Sequence, residues 1–164
     1  MDTKLHDISL YLIGLLIAVS LLTGCSGIKP YPNTLTKNLR IRTETESGSI
    51  FSKVRADVEI YRVDESCQIK YEGNVSLDKP LVEVGIPSDR LSYLVFTFSS
   101  SSFFAGTSGT ISRNTLLKPL ADYNYDIKVS YKEDIYNVMI QETNPRKSKS
   151  REIELKDLSA CSAL

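Results

Sequence analysis

The stretch "YNYDIKVSY", residues 123–131, alternates apolar or aromatic side chains with polar ones along its whole length. In a β-strand, successive side chains point to opposite faces, so a period of two places one set in a core and the other in solvent. The set predicted to face the core is Tyr123, Tyr125, Ile127, Val129 and Tyr131. The stretch therefore predicts a half-buried strand whose tyrosines belong to the core or to a sheet face.

The same period of two recurs through most of the chain after residue 37. Residues 39–43 and 53–60 alternate in the same way, and shorter apolar runs occur at 67–71, 82–86, 91–98, 135–142 and 152–155. Turn-forming stretches separate the runs, namely "EGN" at 72–74, "DKP" at 78–80, "PSD" at 87–89 and "KED" at 132–134. We predict an all-β domain over residues 37–164. Its expected form is a single antiparallel β-sandwich, immunoglobulin- or transthyretin-like, of about seven to nine short strands, with a barrel as the alternative.

An uncharged apolar run, "ISLYLIGLLIAVSLL", occupies residues 8–22. A permanent membrane-spanning helix needs roughly 20 apolar residues. The run is shorter, so it predicts the helix of an export signal. The alternative is an uncleaved N-terminal membrane helix, because Asp2 and Asp7 outnumber Lys4 before the run, whereas export signals usually begin with positive charge.

The residues that follow, Leu22, Thr23, Gly24 and Cys25, resemble the lipobox of bacterial lipoproteins. The resemblance implies that residues 1–24 are a cleaved signal peptide and that Cys25 becomes the lipid-modified N-terminus. Diacylglycerol on the sulfur and a further acyl chain would together give stable membrane anchoring. Ser26 after the cysteine implies the outer membrane, facing the periplasm, because Asp at this position tends to retain such proteins in the inner membrane.

The next segment, "SGIKPYPNTLT" at residues 26–36, is rich in Gly, Pro, Ser and Thr and has no clear period. Such composition is typical of a linker. We therefore predict a lipidated cysteine and flexible tether over residues 25–36, from which the domain would float close to the membrane.

Cleavage at Cys25 would leave Cys67 and Cys161 as the remaining cysteines. The periplasm is oxidising, so we predict a disulfide between them, with two buried free thiols as the alternative. The bond would also hold a C-terminal tail that otherwise frays.

The sequence contains few of the side chains and motifs that enzymes commonly use for catalysis. Its single histidine, His6, lies in the predicted signal peptide. A mature chain without imidazole excludes a Ser-His-Asp triad and a histidine-ligated zinc site. C-x-x-C, G-x-G-x-x-G and P-loop motifs are also absent. We therefore predict that the protein is not an enzyme and carries no metal or cofactor. The residues from Cys25 onward have a net charge of +1, which gives no reason to expect nucleic acid as a partner.

Two stretches are candidates for partner contact. "FSSSSFFAGTSG" at residues 98–109 reads as a strand running into a loop that exposes Phe103 or Phe104, and exposed aromatics commonly anchor partner proteins. The alternative is that one phenylalanine packs under the loop. "NPRKSKSR" at 144–151 brings Arg146 and Lys147 into a basic loop that could touch anionic lipid, or that is simply solvated.

The strand-rich, disulfide-compatible, short-tethered layout is similar to small envelope lipoproteins with transthyretin-like sandwiches, such as the lipoprotein of type VI secretion systems. "VEIYRV" at residues 58–63 resembles a strand of those proteins. We favour an outer-membrane-anchored structural or interaction subunit that contacts an envelope protein through loops such as 99–109. The alternative is a binding module for a small ligand, glycan or lipid, which would need an apolar pocket facing Tyr123, Tyr125 or Tyr136.

Overall fold

A computed structural model of the chain describes residues 28–45, 52–102, 108–132, 135–147 and 149–163. Nine strands account for most of them, followed by a C-terminal 3-10 helix at Leu158–Ala163. The strands are β1 (Leu39–Thr45), β2 (Ser52–Val63), β3 (Ile69–Ser76), β4 (Leu81–Val84), β5 (Ser92–Ser102), β6 (Ser108–Leu117), β7 (Asn124–Lys132), β8 (Ile135–Asn144) and β9 (Lys149–Ile153). The prediction of an almost entirely β domain is confirmed.

The strands form two open sheets of orders β4-β1-β7-β8-β9 and β3-β2-β5-β6. Each described sheet ends in outer strands, so the two sheets do not close into the alternative barrel. Six of the seven described strand pairings are antiparallel as predicted, but β1 and β7 run parallel to each other. A hairpin turn forces its two strands to be antiparallel, whereas β1 and β7 are far apart in sequence and no turn sets their direction.

The two sheets share one hydrophobic core. In β7, Tyr125, Ile127 and Val129 are all buried, which confirms the alternation read from that stretch. Tyr123 is half-buried against the core, and Tyr131 stacks on Tyr136 with their ring centroids 4.5 Å apart. The other sheet contributes the buried side chains Ala56, Val58, Ile60, Leu94, Phe96, Phe98 and Leu117.

Two predictions about the second sheet were wrong in detail. "EGN" at residues 72–74 was expected to end a strand, but it lies inside β3, where the register with β2 shifts at a bulge beside Gly73. The serine run after Phe98 was expected to run out into a loop, but Ser99–Ser102 continue β5: all four pair with β2, and the first three also pair with β6. Backbone pairing on both sides holds these serines in the sheet although their side chains do not drive burial.

The predicted flexible tether is corrected from residue 29 onward. The carbonyl of Lys29 accepts the Asn74 N–H at 2.9 Å, and the Tyr31 N–H donates to the Asn74 carbonyl at 2.9 Å. Pro30 thus forms a parallel bridge to Asn74 in β3, the outer strand of its sheet. The segment is ordered because β3 supplies backbone partners for it and the core accepts its tyrosine.

The same segment then reaches β4, the outer strand of the other sheet. The Asn33 side chain accepts the Gly85 N–H and donates to the Glu83 carbonyl, each at 2.9 Å. Between these contacts, Tyr31 is 8% exposed and its hydroxyl donates to the Gly85 carbonyl at 3.1 Å. Residues 29–33, called the N-terminal strap below, therefore connect the two sheets along their β3–β4 side.

Two glycines make room for the N-terminal strap and for the residues that follow it. A Cβ at Gly73 would lie 2.5 Å from the Tyr31 Cα, and the φ of +157° at Gly73 also disfavours other residues. A Cβ at Gly85 would lie 2.4 Å from the Leu35 carbonyl oxygen. The close approach of backbone to backbone at both positions shows that the chain is packed against the domain at Tyr31 and again at Leu35.

The chain after β9 closes the opposite side. The Leu116 N–H donates to the Lys156 carbonyl at 2.7 Å, and the Lys156 N–H donates to the Thr115 hydroxyl at 3.1 Å. These bonds cover the C-terminal part of β6, and Ile153 and Leu155 pack partly buried against the core. Both ends of the domain thus protect sheet edges, which would otherwise expose unpaired backbone groups.

Replacing Tyr31 tests the role of the N-terminal strap. Tyr31→Ala is expected to lower the free energy of unfolding by about 3–5 kcal/mol, because it leaves a cavity between the sheets. Tyr31→Phe keeps the ring and loses only the bond to Gly85, for about 1–2 kcal/mol. Urea denaturation of the chain from Ser26 onward measures both values. A Tyr31→Ala midpoint equal to that of the unmodified chain would contradict the packing described.

Candidate functional site

The predicted disulfide is present, with Cys67 and Cys161 bonded at an Sγ–Sγ distance of 2.04 Å. Cys161 belongs to the C-terminal 3-10 helix, which packs on the outer face of the β3-β2-β5-β6 sheet. There a second, small core of Val63, Tyr93, Leu116 and Cys161 forms. The bond therefore joins the end of the chain to the start of β3 over an apolar patch.

Three tyrosines form a row across the same outer face. The Tyr61 ring centroid lies 5.3 Å from that of Tyr71 and 6.2 Å from that of Tyr93, with the rings tilted by 59° in both pairs. The Tyr61 hydroxyl donates to Glu59 at 2.6 Å, and the Asn114 amide donates to the Tyr93 hydroxyl. The pKa of Tyr61 is raised to about 12, chiefly by burial and secondly by the Glu59 carboxylate. The rings pack against one another instead of opening a ligand surface.

A buried carboxylate, Glu142, sits at the end of the core where β7 begins. It is 6% exposed, accepts the Tyr125 hydroxyl at 2.9 Å, and pairs with Arg151 at 2.8 Å. The Tyr125 hydroxyl also accepts the Leu120 N–H at 2.9 Å. Burial raises the pKa of Tyr125. Each group in this network has a partner, so the network closes the end of the core and leaves no reactive group unpaired.

An open cleft of about 620 Å³ lies at the same end, beside the chain entering β1. Some of its polar groups are already engaged: the Asn38 side chain bonds to both the N–H and the carbonyl of Ile86 at 2.9 Å, and Arg146 pairs with Asp122 at 2.7 Å. Tyr123 lines the cleft, whereas Tyr125 is buried and Tyr136 packs on Phe98 in the core. Of the three tyrosines named for the ligand-binding alternative, Tyr123 is therefore the one that faces this cleft.

The structure describes two of the four predicted partner-binding residues. Arg146 and Lys147 are exposed in the β8–β9 turn, at the end where β1 begins. β5 ends at Ser102 and β6 begins at Ser108 at the other end of the strands, because β5 runs from its pairing with Arg62 towards Ser102. Phe103, Phe104 and Cys25 lie outside the described residues. The Arg146–Asp122 pair is 79% and 68% exposed, so it contributes little to stability.

The sequence interpretation missed the N-terminal strap and the exposed Ile28 that precedes it, 72% exposed. A tyrosine between two prolines, Pro30 and Pro32, was the available signal, because an aromatic residue in a linker needs a reason to be there. Within the ranges described, no group of three or more His, Cys, Asp or Glu side chains could hold a metal ion. The described helical segments also include none that is long and apolar enough to cross a membrane.

No family model, curated protein or solved structure matches the chain significantly. The function is therefore argued from the chain's own residues and geometry.

Removing the disulfide tests its contribution. With a sequence separation of 94 between the cysteines, the chain-entropy account predicts that Cys67→Ala with Cys161→Ala lowers the free energy of unfolding by about 4–5 kcal/mol. Urea denaturation under oxidising conditions measures the loss. Adding a reductant is expected to destabilise the unmodified chain and to leave the double variant unchanged. Equal midpoints for the two oxidised proteins would show that the bond does not constrain the unfolded chain.

Proposed function

We propose that the protein is an outer-membrane lipoprotein, anchored through Cys25 and facing the periplasm, that serves as a structural or interaction subunit of an envelope assembly. The observation that carries the proposal is the N-terminal strap. Its first hydrogen-bonded residue, Lys29, lies four positions after Cys25 and bonds directly to β3. A lipid on Cys25 would therefore hold a folded body in place, as a scaffold subunit requires.

The disulfide supports the proposed periplasmic location. A bond between Cys67 and Cys161 would form and persist in an oxidising space such as the periplasm. In a reducing cytosol the same two cysteines would remain free thiols. An exported chain, as the lipobox-like residues imply, meets the conditions that this pair needs.

The strand order supports a transthyretin-like sandwich, which we propose in preference to an immunoglobulin-like one. Such a sandwich joins strands three, two, five and six in one sheet and strands four, one, seven and eight in the other, with strand one parallel to strand seven. The two sheets have this order, with β9 added beside β8. Fold alone does not assign function, so this likeness supports the envelope-lipoprotein resemblance without supplying a role for any residue.

The partner in this proposal is an envelope protein, and the proposed contact is the β5–β6 connection with Phe103 and Phe104. β5 and β6 pair without interruption from Ser92 and Leu117 to Ser101 and Ser108, so a regular hairpin leads to that connection. We propose no catalytic activity, cofactor or nucleic-acid partner. A ligand-binding role is the weaker hypothesis because, of its three tyrosines, Tyr123 is the one that lines this cleft, and Asn38 and Arg146 there are already paired.

Fractionation combined with in-cell crosslinking tests the proposal. The full-length protein is expected in the outer-membrane fraction, crosslinked to one defined envelope protein, and Cys25→Ser is expected to leave that fraction. The double variant Phe103→Ser with Phe104→Ser is expected to stay in the membrane and to lose the crosslink, because exposed aromatic side chains carry much of the energy of such contacts.

The matched control is Arg146→Ser with Lys147→Ser, which alters the opposite end of the domain and is expected to keep the crosslink. Loss of the crosslink only in this control would move the contact to the basic turn. Wild-type protein found in the soluble fraction would overturn the anchored role altogether.

A further inference from the structure

The chain between Cys25 and the folded domain is very short. The Lys29 carbonyl is bonded to the Asn74 N–H at 2.9 Å and accepts the Tyr71 hydroxyl at 3.4 Å. Ile28, directly before it, lines a shallow cleft together with residues of β2 and β3. Only Ser26 and Gly27 separate Ile28 from Cys25. The distance between the lipidated residue and the domain is therefore limited by three Cα–Cα steps.

Three such steps span at most about 11 Å, whatever conformation they adopt. A bilayer of about 40–45 Å has a hydrocarbon core of about 30 Å, so each headgroup layer is roughly 5–8 Å thick. Acyl chains on Cys25 would occupy the hydrocarbon and place the cysteine among the headgroups. Ile28 can then lie no more than a few ångströms above the headgroup layer.

We infer that the surface around Ile28 rests on the lipid headgroups and gives the domain one fixed orientation on the membrane. This surface, the Ile28 flank, comprises Ile28, Arg55, Asp57, Asn74, Ser76 and Asp78, which line one shallow cleft. The inference rests on the proposed lipidation of Cys25. It replaces a domain floating on a flexible tether with a domain that lies directly against the bilayer.

The side chains of the Ile28 flank are suited to contact with lipid headgroups. Ile28 is 72% exposed and is the apolar side chain that projects there, suited to the boundary between headgroups and acyl chains. Around it, Arg55, Asp57 and Asp78 supply charges of both signs, and Ser76 supplies a hydroxyl. Such a mixture matches zwitterionic headgroups, which carry both an ammonium and a phosphate, and does not depend on anionic lipid.

The orientation also fixes what faces the bilayer and what faces the periplasm. Ser100 near the end of β5 and Ser108 at the start of β6 line a cleft with Ile28, so the proposed partner would be contacted close to the membrane surface.

The N-terminal strap runs from Asn74 towards Gly85, so the cleft near Tyr123 and the β8–β9 turn lie at the far end of the other sheet. Lys147 in that turn therefore points away from the membrane. Ser76 in the Ile28 flank and Lys147 are matched probes, because both are exposed and lie at opposite ends of the domain.

Fluorescence quenching distinguishes the two arrangements. Ser76→Cys and Lys147→Cys, each in the lipidated full-length protein with its disulfide intact, are labelled with an environment-sensitive fluorophore and reconstituted into phosphatidylethanolamine–phosphatidylglycerol vesicles. A trace lipid with a nitroxide on its headgroup serves as the quencher. The label at position 76 is expected to be quenched several-fold more than the label at position 147.

A lengthened tether provides the control. A flexible Gly-Ser insert of about six residues after Ser26 frees the domain from the bilayer and is expected to abolish the difference between the two labels. Equal quenching at both positions in the protein with its natural tether would overturn the inference while leaving the lipid anchor in place. Protein that does not remain with the vesicles at all would overturn the anchor and the inference together.

Discussion

The burial of Tyr31 between the two sheets is the contact on which the rest of the structure depends. Its ring lies in the shared core, its N–H bonds to β3, and its hydroxyl bonds to the chain just after β4. β3 and β4 are the outer strands of different sheets, so they do not pair with each other as a hairpin. Tyr31 connects these two sheet edges. The direction of β1, antiparallel to β4 and parallel to β7, follows from this contact. The chain leaves the N-terminal strap at the end of the domain where β7 begins, so β1 starts beside the start of β7.

The N-terminal and C-terminal ends of the domain both cover outer strands of the sheets. The N-terminal strap covers the β3–β4 side, and the chain around Lys156 covers part of β6 before the 3-10 helix crosses to the outer face. Open sheets expose unpaired backbone groups at their edges, and such edges favour association with other chains. The termini cover parts of the β3, β4 and β6 edges, whereas the outer edge of β9 remains exposed. A docked N-terminus also couples the domain to whatever holds Cys25.

Regular alternation made the core predictable. Tyr125, Ile127 and Val129 were identified as core residues because a period of two has one physical explanation in a half-buried strand. β6 was missed because most of it is exposed and polar, so the pairing with β5, and not the burial of side chains, keeps it in the sheet. The disulfide could be predicted because the predicted signal peptide and lipidation of Cys25 left Cys67 one partner. The strap was missed because proline and glycine content is the same in a linker and in a segment held by long-range hydrogen bonds, and the signal from Tyr31 was overlooked.

The central claim is that the N-terminal strap is part of the folded domain. Hydrogen exchange on the chain from Ser26 onward measures this through two amides, those of Tyr31 and Asn74, which are bonded to Asn74 and Lys29 respectively. Both are predicted to exchange with protection close to that of amides in the centre of β2, because they open only when the sheets separate. Exchange of the Tyr31 amide at the rate of an unstructured peptide would show that the strap is a free tether and would contradict the account.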